Sequence, residues 1–144
     1  MHALEHVGIT VTDLDASIAF YTEVVGMTFL RRGFKTGGDW FDTLTGASGA
    51  IIDAARVGFD DFSLQLVVYR EGAGGRAETG HNKVGNVHLC ITVPDVDAKR
   101  AELTRVDREG GPIEATAIVN VAGGHARSFY ISDPDGIPIE FITP

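Results

Sequence analysis

One segment of this sequence occurs twice. His6-Val7-Gly8-Ile9-Thr10-Val11-Thr12-Asp13-Leu14-Asp15-Ala16 aligns without a gap on His88-Leu89-Cys90-Ile91-Thr92-Val93-Pro94-Asp95-Val96-Asp97-Ala98, at a constant offset of 82 (88 minus 6, 95 minus 13). The histidine, the Ile-Thr-Val run, both aspartates and the alanine coincide. A repeat of this kind requires two copies of one supersecondary unit, each about half of the 144-residue chain. Residues 4–11 and 87–93 alternate, so Val7, Ile9 and Val11 share one face while His6, Gly8 and Thr10 share the other. Asp13 and Asp95 are N-cap residues, predicting helices over 15–25 and 97–106. Gly26 and the pair Gly110-Gly111 are the expected stops.

Three further strands follow in each copy, over 27–34, 50–57 and 62–69, then over 113–121, 126–132 and 137–143. The expected fold is therefore α+β: two tandem βαβββ modules forming a curled mixed sheet cleft, with helices packed outside. The modules cover about 1–70 and about 85–144, as one domain, with a Gly- and charge-rich linker over about 71–84. The first copy carries an insertion, 35–49, in which Asp39-Trp40-Phe41-Asp42-Thr43-Leu44 predicts a short helix. Its Trp40 and Phe41, with Phe34, either wall the cleft or anchor the loop.

The last strand of each copy breaks its apolar pattern once. Leu64, Leu66 and Val68 form one face, so Gln65 points away from the helices. Ile139 and Phe141 do the same in the second copy, and Glu140 points away. Register is strict, because a slip of one residue would bury the whole polar set. His6, Gln65, His88 and Glu140 thus stand at equivalent places in two equivalent halves. Taken singly, each reads as an ordinary strand residue; taken together, two imidazoles, an amide oxygen and a carboxylate are ligands for one divalent transition metal, Zn, Ni, Co, Mn or Fe. Such a centre keeps open positions and acts as a Lewis acid on a carbonyl. Tyr130 is a candidate hydrogen-bond donor to a substrate oxygen. Cys90, two residues after His88, is expected to line the same face.

Charge narrows the partners. Twenty acidic against 12 basic residues give a formal charge of −8, which disfavours nucleic acid and anionic membrane. No apolar run approaches the roughly 20 residues of a membrane span. The single cysteine and the absence of a cationic, apolar leader predict a cytoplasmic protein.

At this point the sequence resembles the vicinal oxygen chelate (glyoxalase/bleomycin-resistance/dioxygenase) superfamily. The resemblance covers nearly the whole chain. It rests on His6-Val7-Gly8-Ile9-Thr10-Val11 with Asp13-Leu14, Phe20-Tyr21 and Val25-Gly26, on His88, and on Phe129-Tyr130, Asp133-Pro134-Asp135-Gly136 and Glu140. The ligand set is similar to those of methylmalonyl-CoA epimerase and glyoxalase I, the latter usually carrying Glu where Gln65 stands. The resemblance implies metal-assisted enolisation in an isomerase, epimerase or lyase acting on a small molecule with a carbonyl or vicinal oxygens. It implies Asp53 as a carboxylate base, with Ala55 as the counterpart of Tyr130, and Glu140 as a catalytic ligand. It also implies a homodimer. Two other readings remain open: an Fe(II) extradiol-type dioxygenase using His6, His88 and Glu140, and a drug-binding protein of the bleomycin-resistance type. A fosfomycin-type thiol transferase resembles the triad as well, without an identified cation cluster for the phosphonate.

Overall fold

The computed structural model describes residues 2–144. The chain divides into two compact units, one ending at Arg76 and the other running from Ala77 to Pro144. Each is a four-stranded mixed sheet, and the architecture is α+β.

The first unit contains β1 (Val7–Thr10), α1 (Leu14–Ala19), β2 (Thr28–Gly37), α2 (Asp39–Thr45), β3 (Ile51–Phe59) and β4 (Phe62–Glu71), in sheet order β1-β4-β3-β2. β1 runs parallel to β4, and the other pairs are antiparallel. Asp13 caps α1 by accepting a hydrogen bond from the Ala16 amide at 3.0 Å. The helix widens into a π-helical turn, Phe20–Val25, and stops at Gly26, whose φ of 93° is left-handed. Ile9, Val11, Leu14, Tyr21, Val57, Leu64, Leu66 and Val68 are buried on the helix side of this sheet. The insertion helix α2 packs from the other side: Phe41 lies with Ala50 and Ile52 against Ala54, Val67 and Tyr69. Phe41 therefore anchors the insertion, whereas Trp40 and Phe34 are exposed.

The second unit contains β5 (Leu89–Thr92), α3 (Val96–Thr104), β6 (Val119–Val121), β7 (Ala126–Ser132) and β8 (Pro138–Thr143), in order β5-β8-β7-β6. Asp95 caps α3 through the amides of Asp97 and Ala98, at 2.9 and 3.1 Å. Val96, Leu103, Phe129, Ile131, Ile139 and Phe141 are buried.

Two expectations need correction here. The second helix ends at Thr104 rather than at the glycine pair, because Arg105 is already extended. The strand expected over 113–121 is paired as a strand only from Val119. At Thr116 the ladder is only half made: its amide donates to the Tyr130 carbonyl at 2.9 Å, but its carbonyl accepts from Arg100 Nε at 2.7 Å, and its hydroxyl takes the carbonyl's place as acceptor for the Tyr130 amide at 2.9 Å. A side-chain oxygen thus replaces a backbone one, and regular pairing stops.

Candidate functional site

In each unit the polar side chains of the last strand sit in a row that crosses three strands. In the first unit Gly8 stands beside Gln65, and Gln65 stands opposite Arg56. In the second, Cys90 stands beside Glu140, and Glu140 opposite Tyr130. Directly paired residues project to the same face, so each trio shares one side of its sheet.

The second row is tightly connected. Tyr130 donates its phenolic hydrogen to Glu140 Oε2 at 2.9 Å, and His88 Nε2 lies 3.6 Å from the same oxygen. The two side chains differ in access, with His88 47% and Glu140 13% exposed. Burial is the largest influence on the Glu140 carboxyl and would raise its pKa. Hydrogen bonds from Ser128, Tyr130 and Cys90, with His88 nearby, outweigh it and hold the group below its usual range. Burial, followed by the neighbouring carboxylate, pushes the Tyr130 phenol up to about 12 and the Cys90 thiol to about 11. Both remain protonated donors around a charged carboxylate.

The first row is organised by Arg56, which is 9% exposed. Its guanidinium donates to Ser63 Oγ at 2.9 Å and to both oxygens of Glu5, at 3.3 and 3.0 Å. His6 Nδ1 lies 3.0 Å from Arg56 Nη2 and in close contact with the Glu5 carboxylate. The same Nδ1 faces a guanidinium donor and a carboxylate acceptor, so the ring is held between the two partners of the Arg56–Glu5 pair. Hydrogen bonds from Arg56 and then His6 hold the Glu5 carboxyl at about 2. Gln65 Oε1 lies over Gly8, 3.9 Å from where a Cβ there would stand.

Asp53, the expected base, stands on the other face. It pairs with Val68, and Ala55 pairs with Leu66, so both belong to the helix side of the sheet. The counterpart of Tyr130 is Arg56, not Ala55, and the shift of one residue changes the face. Asp53 Oδ1 accepts the Lys35 amide at 2.8 Å, and Oδ2 accepts Arg70 Nε at 2.9 Å. Lys35 has φ 49° and lies within an irregularity of β2 between Gly33 and Thr36. The carboxylate satisfies the amide that this bulge releases from the ladder. The Lys35 amide, then Arg70, holds its pKa below the usual range, which makes it a poor proton acceptor.

Arg56 escaped the sequence reading, although a signal was present. Phe59-Asp60-Asp61-Phe62 forms a two-residue hairpin turn that pairs Phe59 with Phe62. Counting back from that turn places residue 56 opposite residue 65.

The donors suit a divalent cation in type, and within the second unit two of them stand at a suitable separation. A His nitrogen and a carboxylate oxygen bound at about 2.0–2.2 Å to one tetrahedral or octahedral ion lie roughly 3.0–3.5 Å apart, close to the 3.6 Å between His88 and Glu140. Glu5 beneath His6 is the carboxylate–histidine arrangement that orients metal-binding imidazoles. Each module supplies a pair of these donors; among the described residues, no group of three or more His, Cys, Asp and Glu side chains is drawn together.

Residues 3–141 match the model of the Glyoxalase/Bleomycin resistance protein/Dioxygenase superfamily. The chain belongs to that superfamily. It is 33% identical to a probable lactoylglutathione lyase of Vibrio cholerae, over 98% of this chain and 90% of that protein. It is 32% identical to a 2-epi-5-epi-valiolone epimerase of Actinomyces sp, over 98% of this chain and 79% of the relative. A glyoxalase family protein from Bacillus cereus superimposes with a TM-score of 0.80 at 23% identity, covering 99% of this chain and 94% of the other. That likeness establishes the vicinal oxygen chelate fold. Among the described residues, no helix is long and apolar enough to cross a membrane.

Proposed function

We propose that this vicinal oxygen chelate protein is a metal-dependent enzyme of the glyoxalase/epimerase type, acting on a small molecule with a carbonyl or vicinal oxygens by enolisation. The carrying observation is the contact set around Glu140, with Tyr130 donating at 2.9 Å and His88 Nε2 lying 3.6 Å away. A carboxylate kept ionised and aimed beside an imidazole is chemically ready to bind a cation. His6, Gln65, His88 and Glu140 would hold one divalent transition metal. When bound, the cation would supply Lewis-acid polarisation of a carbonyl.

The protein's own groups do the rest. Tyr130 fixes the Glu140 carboxylate and presents a phenol that stays protonated. Glu5 and Arg56 fix the His6 ring. Names of relatives support isomerase or lyase chemistry: a probable lactoylglutathione lyase and an epimerase both align over nearly all of this chain. We further propose that the protein works as a cytoplasmic homodimer.

The test is elemental analysis of purified, untagged protein after chelation and reloading, followed by S-lactoylglutathione in deuterated water. About one ion per chain and enzyme-dependent exchange of the hydrogen beside the thioester carbonyl are expected. Iron with oxygen consumption would replace this reading by the dioxygenase one. No metal uptake would overturn it in favour of a drug-binding protein.

A further inference from the structure

The row through Gln65 has a fourth member, on the edge strand of the first unit. β2 carries an extra residue, Leu30, between Phe29, which pairs with Val57, and Arg31, which pairs with Arg56. Without that bulge Arg31 would stand two residues on from the Phe29–Val57 pair, opposite Ala55, and would turn to the helix side. With it, Arg31 comes to the face of Arg56 and Gln65. Its neighbour Arg32 pairs with Ala55 and reaches Asp15 of α1 on the other side. A bulge is a means of re-aiming one side chain of a strand, and here it re-aims a guanidinium. The row on this face therefore runs Gly8, Gln65, Arg56, Arg31.

Cations are expected on an edge strand, where they discourage pairing with another chain. Two guanidinium groups directly opposite each other across neighbouring strands are not, because like charges in that position repel. The other cations of this region are matched. Arg56 is spent on Glu5, Ser63 and His6, Arg32 pairs with Asp15, and Arg70 with Asp53. Arg31 is exposed and, among the described residues, makes no hydrogen bond or ion pair. That is notable in a chain with 20 acidic side chains against 12 basic ones. Neither diagonal position across the pair supplies a carboxylate, since these are Ala54 and Gly58. The sheet beside Arg31 is also low and open: Gly33 stands opposite Ala54, and a Cβ on Gly33 would meet nothing within 4 Å.

We propose that Arg31 is the subsite for a carboxylate carried by the substrate at the end remote from its carbonyl. The inference rests on the reading of Gln65 as a ligand of the site. Arg31 lies two strand spacings from Gln65 along the row, roughly 10 Å between backbones, which sets the distance from the carbonyl to the charged end. A guanidinium takes a carboxylate through two parallel N–H···O bonds, so it fixes the direction of the tail as well as its charge. One unmatched cation answers one negative charge, and the arriving carboxylate screens Arg31 from Arg56. Arg31 thus selects the substrate without touching the reacting atoms. The substrate class narrows to carbonyl compounds with a terminal carboxylate.

The experiment loads the full-length protein with Zn(II) and titrates it calorimetrically with two chelators of equal length. One is suberic acid monohydroxamate, which ends in a carboxylate; the other is the same molecule with a terminal amide. The carboxylate is expected to bind at least about tenfold more tightly. Arg31→Gln should bring it down to the affinity of the amide, whereas Arg32→Gln, one residue along the strand but on the other face, should keep the preference. Equal affinity of the two chelators for the parent protein, or a preference that survives Arg31→Gln, would overturn this inference and leave the metal reading standing. Failure to take up Zn(II) would overturn the metal reading, and the place of Arg31 in the substrate site with it.

Discussion

The two units place the same row of three residues on the same three strands and fill it with opposite chemistry. Gly8, Gln65 and Arg56 make the first row, and Cys90, Glu140 and Tyr130 the second. One row centres on a neutral amide beside a buried cation, the other on a buried anion beside two protonated donors. The anion of the first unit, Glu5, lies outside the row on the segment before β1, where it supports His6 from behind. Duplication therefore preserved positions while the charge moved: in the second unit it sits at a candidate ligand, in the first it sits behind one. Of the four residues proposed as ligands, Glu140 alone is negative.

That asymmetry is the point to attack. Glu140→Gln removes the only anionic member, so divalent-metal affinity should fall by more than the roughly 10–100-fold that supporting residues alone control; Gln65→Ala should lose less. Calorimetric titration of both variants checks this, and equal losses would erase the distinction between the rows. On the helix side the units should instead behave alike. Leu66 and Ile139 are both fully buried, so truncating either to alanine should cost about 2–5 kcal/mol in chemical denaturation.

A smaller effect should separate the rows by pH. The Glu5 carboxyl titrates at about 2 in the folded chain against 4.5 for an unperturbed group, so its contribution to stability is present above pH 4.5 and is lost as pH falls toward 2. Glu5→Gln should be less stable than the parent at pH 6, and the two melting curves should converge through that window. A constant gap would mean that the carboxylate is not what Arg56 holds. Least of all should Gly8→Ala matter. Its Cβ would meet Gln65 Oε1 at an ordinary 3.9 Å, and a change within about 0.5 kcal/mol is expected for such a site. A large loss there would show that the first row, unlike the Cys90 row, needs an open position beside its ligand.

Much of this was legible in the chain itself. The repeat at offset 82 carries β1 with α1 and β5 with α3, and the two aspartates cap their helices as their position requires. Alternation in the last strands set Gln65 and Glu140 on the face away from the helices, because a period of two leaves a strand no other way to bury Leu64, Leu66, Ile139 and Phe141. What alternation within one strand does not supply is the alignment between strands. Asp53 and Arg56 both interrupt the apolar run of β3, and only the pairing with β4 decides that Arg56 joins Gln65 while Asp53 turns to the other side and neutralises a bulge. The segment expected as a linker is the second such case. Its glycines and charges report chain freedom, whereas it meets the second unit through Thr79 at the Gly136 turn, 57 residues further along (136 minus 79), and through the His81 ring, which stands perpendicular to the Tyr130 ring with centroids 4.5 Å apart. Local periodicity determined the elements and their faces; contacts between residues distant in sequence decided which polar groups meet.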